Sequence, residues 1–334
     1  MPKANDIYSW GFSFFLWCSH YTDPSAQDTG TLVMGRRIGY NSVQGTMKKY
    51  SRRDFLNLLR AALSVSILGG LGGLTYGFSL EPEWFEVVRV QLKLPRLPRA
   101  FSGFKMVQIS DLHMGGWMNA ERLQVVVDLV QAQRPDLVAI TGDFFEGHGW
   151  DSSDQAAAAD LTRILSPLAH TTPTFAVLGN HDHWTSTEAT RAMLSASGIV
   201  ELNNDVHTLT REEQSLHLCG VDDIWEGRQD LDQVLSKLPE DGAAILLAHE
   251  PDFADESAAV RRFDLQLSGH SHGGQIVVPL LGPPVLPWLA KKYPSGLYEL
   301  DGMYQYTNRG VGMIYPAVRV NCRPEITLFD LEAA

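Results

Sequence analysis

Residues 105–113 read Lys-Met-Val-Gln-Ile-Ser-Asp-Leu-His, a short apolar stretch running straight into a carboxylate and an imidazole one residue apart. A brief Val/Ile-containing run without helical spacing reads as a strand. The same unit recurs along the chain. The stretch 137–141 runs into Gly142-Asp143, 174–178 into Gly179-Asn180-His181-Asp182, 244–248 into His249-Glu250-Pro251, and 265–268 into Gly269-His270-Ser271-His272. A further strand at 87–94 precedes them, and 120–133, 154–168, 187–196 and 252–262 carry helical patterns in between. The later segments 275–278, 296–300, 303–307 and 326–328 read as strands without intervening helices. This order predicts a mixed α/β domain, one half of it nearly all strand. The chain has no internal repeat and no low-complexity tract.

Groups just past the carboxyl ends of neighbouring strands in an open α/β sheet converge on one crevice, so the pattern predicts ligand sets gathered at one edge. Asp111 with His113, and His270 with His272, would point the same way on an extended backbone. Gly142, Gly179, Gly269, Gly273 and Gly274 let the chain bend beside a crowded site. A single histidine at a strand end is ordinarily a hydrogen-bonded surface or core residue, and a single Gly-Asp is ordinarily a turn. Five such clusters in succession, each closing a strand, point instead to a metal centre where these strand ends meet. Mixed imidazole and oxygen donors suit Mn, Fe, Zn or Co better than Ca or Mg.

The composition sets the outer bounds. At 334 residues, 44% hydrophobic and 20% charged, the chain is ordinary globular material with ample core. A formal charge of −12 argues against nucleic acid as a partner, because phosphate backbones reward clustered Lys and Arg. It does not argue against a phosphate-bearing substrate, since bound divalent cations reverse the local field. Cys18, Cys219 and Cys322 lie far apart with no CxxC spacing, so neither a disulfide framework nor a zinc ribbon is expected.

The series D-x-H, G-D, G-N-H-D, a lone His and G-H-x-H resembles the calcineurin-like metallophosphoesterases over about residues 104–330. The resemblance implies a four-layer α/β/β/α sandwich of two mixed β-sheets flanked by helices. It implies two divalent ions, one held by Asp111, His113, Asp143 and His272, the other by Asp143, Asn180, His249 and His270, with Asp143 bridging. The implied reaction is hydrolysis of a P–O bond in a phosphomonoester or phosphodiester by hydroxide held between the ions, since bound cations lower the pKa of water. His181 is the implied proton donor to the leaving oxygen, with Asp182 or Glu146 orienting its ring. Purple acid phosphatases carry a metal-binding Tyr three residues after the bridging Asp. Glu146 stands there, so no tyrosinate–iron chromophore is expected. His183, Trp184, Trp117 and His148 flank the motifs as candidates for lining a pocket. The segment 279–294, with five prolines, reads as an ordered loop placed to cap the site.

Within the family, the GHSHGGQ run, the stretch 298–312 and an arginine pair at 52–53 are similar to the YaeI/YkuE-type phosphodiesterases. That likeness raises an alternative substrate, the pyrophosphate of a nucleotide-linked glycolipid such as UDP-2,3-diacylglucosamine of the lipid A pathway. An apolar cap formed by Leu280, Leu281, Val285, Leu286, Trp288 and Leu289 would suit it, but its cytoplasmic location fits export poorly. A lesser alternative is a metal-bearing envelope-binding protein without turnover.

The N-terminus predicts the location. Ser51-Arg52-Arg53-Asp54-Phe55-Leu56, followed by an uncharged run over 61–80, resembles a twin-arginine export signal. The run reaches the length of a spanning helix, but Gly69, Gly70, Gly72 and Gly73 make it a poor one. No clear A-x-A cleavage site precedes Glu81, so an uncleaved anchor in the cytoplasmic membrane is the alternative to a free periplasmic or envelope enzyme. Met47-Lys48-Lys49-Tyr50-Ser51-Arg52-Arg53 makes a natural beginning, which marks 1–46 as a wrongly started or disordered leader. The expected division is therefore a leader over 1–46, a signal or anchor over 47–80, and the catalytic domain over 81–334. The expected partners are a phosphate ester, the twin-arginine export machinery and a membrane.

Overall fold

The computed structural model of the chain describes residues 51–147 and 149–334. Cys18, Met47, His148 and the whole of the 1–46 leader lie outside the described residues. By contacts the chain divides into two compact units, 1–56 and 57–334. Helix α1 (Arg52–Thr75) starts where the Ser51 amide and hydroxyl donate to the Asp54 carboxylate at 2.9 and 2.8 Å, a reciprocal cap. A wide, π-helical turn, Tyr76–Leu80, follows it, closed by the Glu81 N–H on the Tyr76 carbonyl. Among the described residues no helix is long and apolar enough to cross a membrane.

Chain order then runs β1 (Glu86–Leu94), β2 (Phe104–Ile109), α2 (Ala120–Ala132), β3 (Leu137–Thr141), α3 (Ser152–Thr171), β4 (Thr174–Val177), α4 (Asn180–Ser197) and β5 (Val200–Glu201). It continues with β6 (Asp205–Arg211), β7 (Gln214–Gly220), α5 (Leu231–Lys237), β8 (Ala243–Leu247), α6 (Ala254–Ala259), β9 (Leu265–Ser268), β10 (Gly296–Leu300), β11 (Met303–Thr307) and β12 (Glu325–Ala333). Two six-stranded sheets result, ordered β1-β12-β2-β3-β4-β5 and β10-β11-β9-β8-β7-β6. Both are mixed: β12 pairs antiparallel with β2, and β10 and β6 pair antiparallel with β11 and β7. This is the four-layer α/β/β/α sandwich.

The core explains the layers. Met106, Ala139 and Phe175 of the first sheet meet Leu218, Ile245 and Leu267 of the second in one apolar layer. The opposite face of the first sheet packs Val107, Ile140 and Ala176 against Val126, Leu161 and Leu194 of α2, α3 and α4. The second sheet packs Ala244 and Leu246 against Val234 and Ala258 of α5 and α6. Strands covered on both faces have no polar side to present, which is why β3 and β8 read as unbroken apolar runs.

Several elements differ from the expectation. The hairpin β6–β7 carries no sequence signal, because its turn uses Glu212 and Glu213 at φ 48° and 62° where Asn-Gly would announce it. Helix α4 begins at Asn180, not near 187, and the non-helical Ser186 (φ −173°) interrupts it. The stretch 275–278 is no strand and keeps two isolated bridges, Ile276 to Val320 and Val278 to Gly282. The motif-bearing ends belong to two facing sheets, β2, β3 and β4 in one and β8 and β9 in the other, instead of one open edge.

Candidate metal centre

Strand ends from the two sheets bring Asp111, His113 and His272 together on one side and Asp143, His249 and His270 on the other. All six are buried. Asp143 stands between the groups: its Oδ2 lies 3.5 Å from His113 Nε2 and 3.1 Å from His249 Nε2. Its Oδ1 accepts from the His181 N–H at 2.9 Å, in the first turn of α4. Asn180 opens that helix and is itself buried. On the other side, Asp111 Oδ1 is 3.4 Å from His272 Nε2, and its carboxylate accepts from the His270 N–H at 3.0 Å.

The backbone does not run extended through these pairs. Asp111, His113, Asp143, His270 and His272 have φ of 53°, 46°, 57°, 67° and 49°, so the side chains converge through left-handed turns. Asp and His tolerate that region better than most residues, but each still costs on the order of 1 kcal/mol, strain of the kind that concentrates at functional sites. The expectation of same-facing alternate residues on a strand is corrected accordingly.

Partner carbonyls set which ring nitrogen is free. His249 Nδ1 lies 2.6 Å from the Thr141 carbonyl, which only accepts, so Nδ1 carries a proton and Nε2 is the nitrogen turned toward Asp143. His270 is turned the other way: Nε2 donates to the Trp288 carbonyl at 2.8 Å and leaves Nδ1 open. Carbonyl partners of this kind fix the tautomer of metal-binding imidazoles.

Electrostatics agree with a cation site. Burial pushes Asp111 up to about 7, with nearby Asp143 adding to the rise and His249 opposing it. Burial presses His113 and His270 down to about 3, and His272 well below its ordinary range, leaving neutral imidazoles. Burial would also depress His249, but Asp143 and Asp111 outweigh it and hold that ring well above its ordinary value. Burial alone would raise Asp143, which His249 and His181 instead hold far below the usual carboxylate range.

Three observations show that this donor set suits a pair of divalent cations. Two buried imidazole nitrogens, His113 Nε2 and His272 Nε2, face each other at 3.0 Å. Asn180 Oδ1 is buried without a hydrogen-bond partner, and His249 Nε2, buried too, has only the Asp143 carboxylate 3.1 Å away. The surrounding glycines leave no room for a side chain: a Cβ on Gly179 would sit 2.7 Å from His249 Nε2, and one on Gly310 2.8 Å from Asp111 Cβ.

His181 stands half-buried over the cluster, its ring 4.7 Å from that of His113, close enough to group with His113 and Asp143 as a third donor set. The Glu146 carbonyl holds its Nδ1 at 3.1 Å. That corrects the orienting role expected of a carboxylate. Asp182 is fully buried and accepts from the N–H groups of Asp143, Phe144 and Gly179, at 2.9, 2.8 and 3.0 Å, so it pins the two metal-site loops together. Burial and the Asp143 charge push Asp182 up to about 7, and the amides of Gly179 and Phe144 oppose them.

Of the flanking residues, Trp117 packs under Arg122 and against Phe85. His183 bonds to Asp222 at 2.8 Å, and Trp184 Nε1 donates to Glu226 at 2.8 Å. Both therefore tie α4 to the loop after β7. That loop also brings in Trp225, which sequence reading missed because β7 itself was not recognised. The Trp225 ring lies 5.5 Å from His270 and 5.2 Å from Trp288. The proline-rich loop covers His270 through Trp288 and accepts the Ser271 hydroxyl at the Pro294 carbonyl.

The pattern of the calcineurin-like phosphoesterase family matches residues 104–274. The metallophosphoesterase YkuE of Bacillus subtilis is 35% identical over 293 residues, 86% of this chain and 99% of YkuE. The phosphodiesterase YaeI of Escherichia coli is 35% identical over 288 residues, 84% of this chain and 99% of YaeI. A transmembrane protein with a metallophosphoesterase domain from Danio rerio is 31% identical over 263 residues, 75% of this chain and 58% of that protein. Among solved structures, a dimetal phosphatase from Danio rerio aligns with TM-score 0.41 at 13% identity, covering 63% of this chain and 88% of that one.

Proposed function

This chain belongs to the calcineurin-like phosphoesterase family and is a metal-dependent phosphoester hydrolase, and we propose that its substrate is a phosphodiester cleaved at a two-metal centre. The observation that carries the reading is the position of Asp143, one carboxylate shared between two donor sets. In this reading Asp111, His113, Asp143 and His272 hold one ion, and Asp143, Asn180, His249 and His270 the other. Bound divalent cations supply an activated water and neutralise charge on the phosphoryl oxygens. The protein's own residues do the rest. Asp182 keeps the Asp143 and Gly179 loops in register. The Thr141 and Trp288 carbonyls hold His249 and His270 with the correct nitrogen inward. His181, held at Nδ1 by the Glu146 carbonyl, presents Nε2 to the leaving oxygen and gives it a proton.

The names of YkuE and YaeI support the metallophosphoesterase and phosphodiesterase chemistry. The glycolipid pyrophosphate remains the competing substrate, and an envelope-binding role without turnover the competing class. A hydrolysis panel on protein reconstituted with Mn, Fe, Zn or Co decides among them, using a bis-aryl phosphodiester, an aryl phosphomonoester and a diacylated UDP-sugar. Preferential turnover of the diester supports the proposal; preference for the UDP-sugar overturns it in favour of the glycolipid, and no turnover of any favours binding. We further propose that Arg52-Arg53 directs export by the twin-arginine route, with 47–80 as signal or anchor and 81–334 as the exported domain. The arginine pair and the uncharged run after it support this reading.

A further inference from the structure

A cavity of about 360 Å³ opens beside the metal centre, with His270 and His272 in its wall. Ile276, Pro284, Val285, Pro287, Ile314 and Val318 make up most of the remainder. Besides the histidines and the Tyr315 hydroxyl, the polar side chains there, Gln275 and Ser271, are already engaged. Gln275 donates to the carbonyls of Ile314 and Pro316 at 3.2 and 3.1 Å and accepts from the Ile314 N–H at 2.8 Å. Ser271 donates to Pro294 and accepts from the Gly273 N–H at 3.0 Å. Beyond the histidines, then, the walls offer a ligand mainly apolar contact.

The rim is apolar too, and strongly exposed. Leu280 and Leu281 are 105% and 84% accessible, Tyr315 89% and Val285 74%. Leu280 is also held at φ 69°, a conformation that a branched side chain adopts at a cost. The apolar surface continues behind the wall. Gly77 accepts from the Arg319 N–H at 2.9 Å and approaches Val318 and Val320 so closely that a Cβ there would lie 3.2 and 3.0 Å from their methyl groups. The exposed Phe78, Leu80 and Trp84 follow. An exposed apolar patch around an apolar cavity marks a site for a lipid surface or an apolar ligand.

We propose that this cavity receives the hydrocarbon chain of a phosphoester drawn from a lipid surface, while its phosphate lies at the metal centre. The inference rests on the phosphoesterase reading of that centre, but not on which P–O bond is cleaved. The occupant follows from continuity: a group entering between His270, His272 and the apolar walls is attached to what the metals hold, and the exposed leucines sit where a chain would leave a bilayer.

Binding of methyl-, butyl- and octylphosphonate to metal-loaded full-length protein, by titration calorimetry, tests this without turnover because the P–C bond is not hydrolysed. Each fully buried methylene favours binding about fourfold, so burial of even three of the seven methylenes that octylphosphonate adds makes it bind more than about thirtyfold more tightly than methylphosphonate. Ile276→Asn with Val285→Asn should shrink that ratio to a few-fold, and the wild-type series stands alone if the variant fails to fold. A flat wild-type series overturns the proposal. Phosphatidic acid in phosphatidylcholine vesicles should displace octylphosphonate, and Leu280→Asn with Leu281→Asn should raise the lipid needed about tenfold. Vesicles that fail to displace it overturn the lipid-surface source. Chain-length dependence in a protein that hydrolyses no phosphoester would defeat the functional reading and leave this one; turnover with a flat series does the reverse.

Discussion

Replacing Asp143 by Asn tests the shared carboxylate with little disturbance of shape. The amide keeps an oxygen for the His181 N–H, which Asp143 Oδ1 now accepts at 2.9 Å. It replaces Oδ2, 3.5 Å from His113 Nε2 and 3.1 Å from His249 Nε2, with a nitrogen that has no lone pair to give. The metal-free protein should lose some stability, since the change removes a carboxylate that His249 and His181 favour in its charged form. The metal dependence of the midpoint, read within each protein, separates that loss from the loss of ligation. Each ion present at a hundred times its dissociation constant stabilises the fold by about 2.7 kcal/mol, so two contribute about 5 kcal/mol. At about 2–4 °C per kcal/mol for a domain of this size, saturating metal should raise the wild-type midpoint by roughly 10–20 °C. In Asp143→Asn the rise should fall below about 5 °C. Differential scanning calorimetry with and without metal, alongside elemental analysis of the dialysed protein, reads both quantities. If Asp143→Asn retains two ions and the full rise in midpoint, the two donor sets do not share this residue.

Three further outcomes are expected. His181→Ala should keep both ions yet lose roughly 10²–10⁴ in rate, with less loss for esters of acidic leaving groups; loss of an ion on elemental analysis would instead make His181 a ligand. His183 is held above its ordinary pKa because Asp222 outweighs the depressing effect of burial. The stability it adds is full below the unfolded imidazole value and is lost as pH rises through the folded one. The midpoint of wild type relative to His183→Gln should accordingly fall as pH rises above the ordinary imidazole value, and a constant difference on thermal scans would refute the pairing. Arg52→Lys with Arg53→Lys should leave active enzyme in the cytoplasm, and starting the chain at Met47 should leave export unchanged; cell fractionation checks both.

The residues that carry the chemistry were legible in the sequence, because metal ligation demands particular side chains and strand ends are the places that present them. Asp111-Leu112-His113 and His270-Ser271-His272 stand out by composition alone. The strands before them were legible too, since β3 and β8 are covered on both faces and read as apolar runs. Burial across space was not. The strand ends fall in two sheets because β5 ends the first and the chain starts a second with β6 and β7, and β12 returns to pair between β1 and β2 from more than two hundred residues away; no local pattern encodes either step. The left-handed turns at the ligands, the Glu146 carbonyl on His181 and the diversion of Asp182 to three amides were likewise decided by which loops meet. Trp225 shows the same limit. Its loop follows a hairpin whose Glu212-Glu213 turn carries no turn signal, so only the packed structure brings that ring against His270. Side-chain chemistry is local and is written residue by residue, whereas the geometry that makes it a site is a property of the pairing of distant strands.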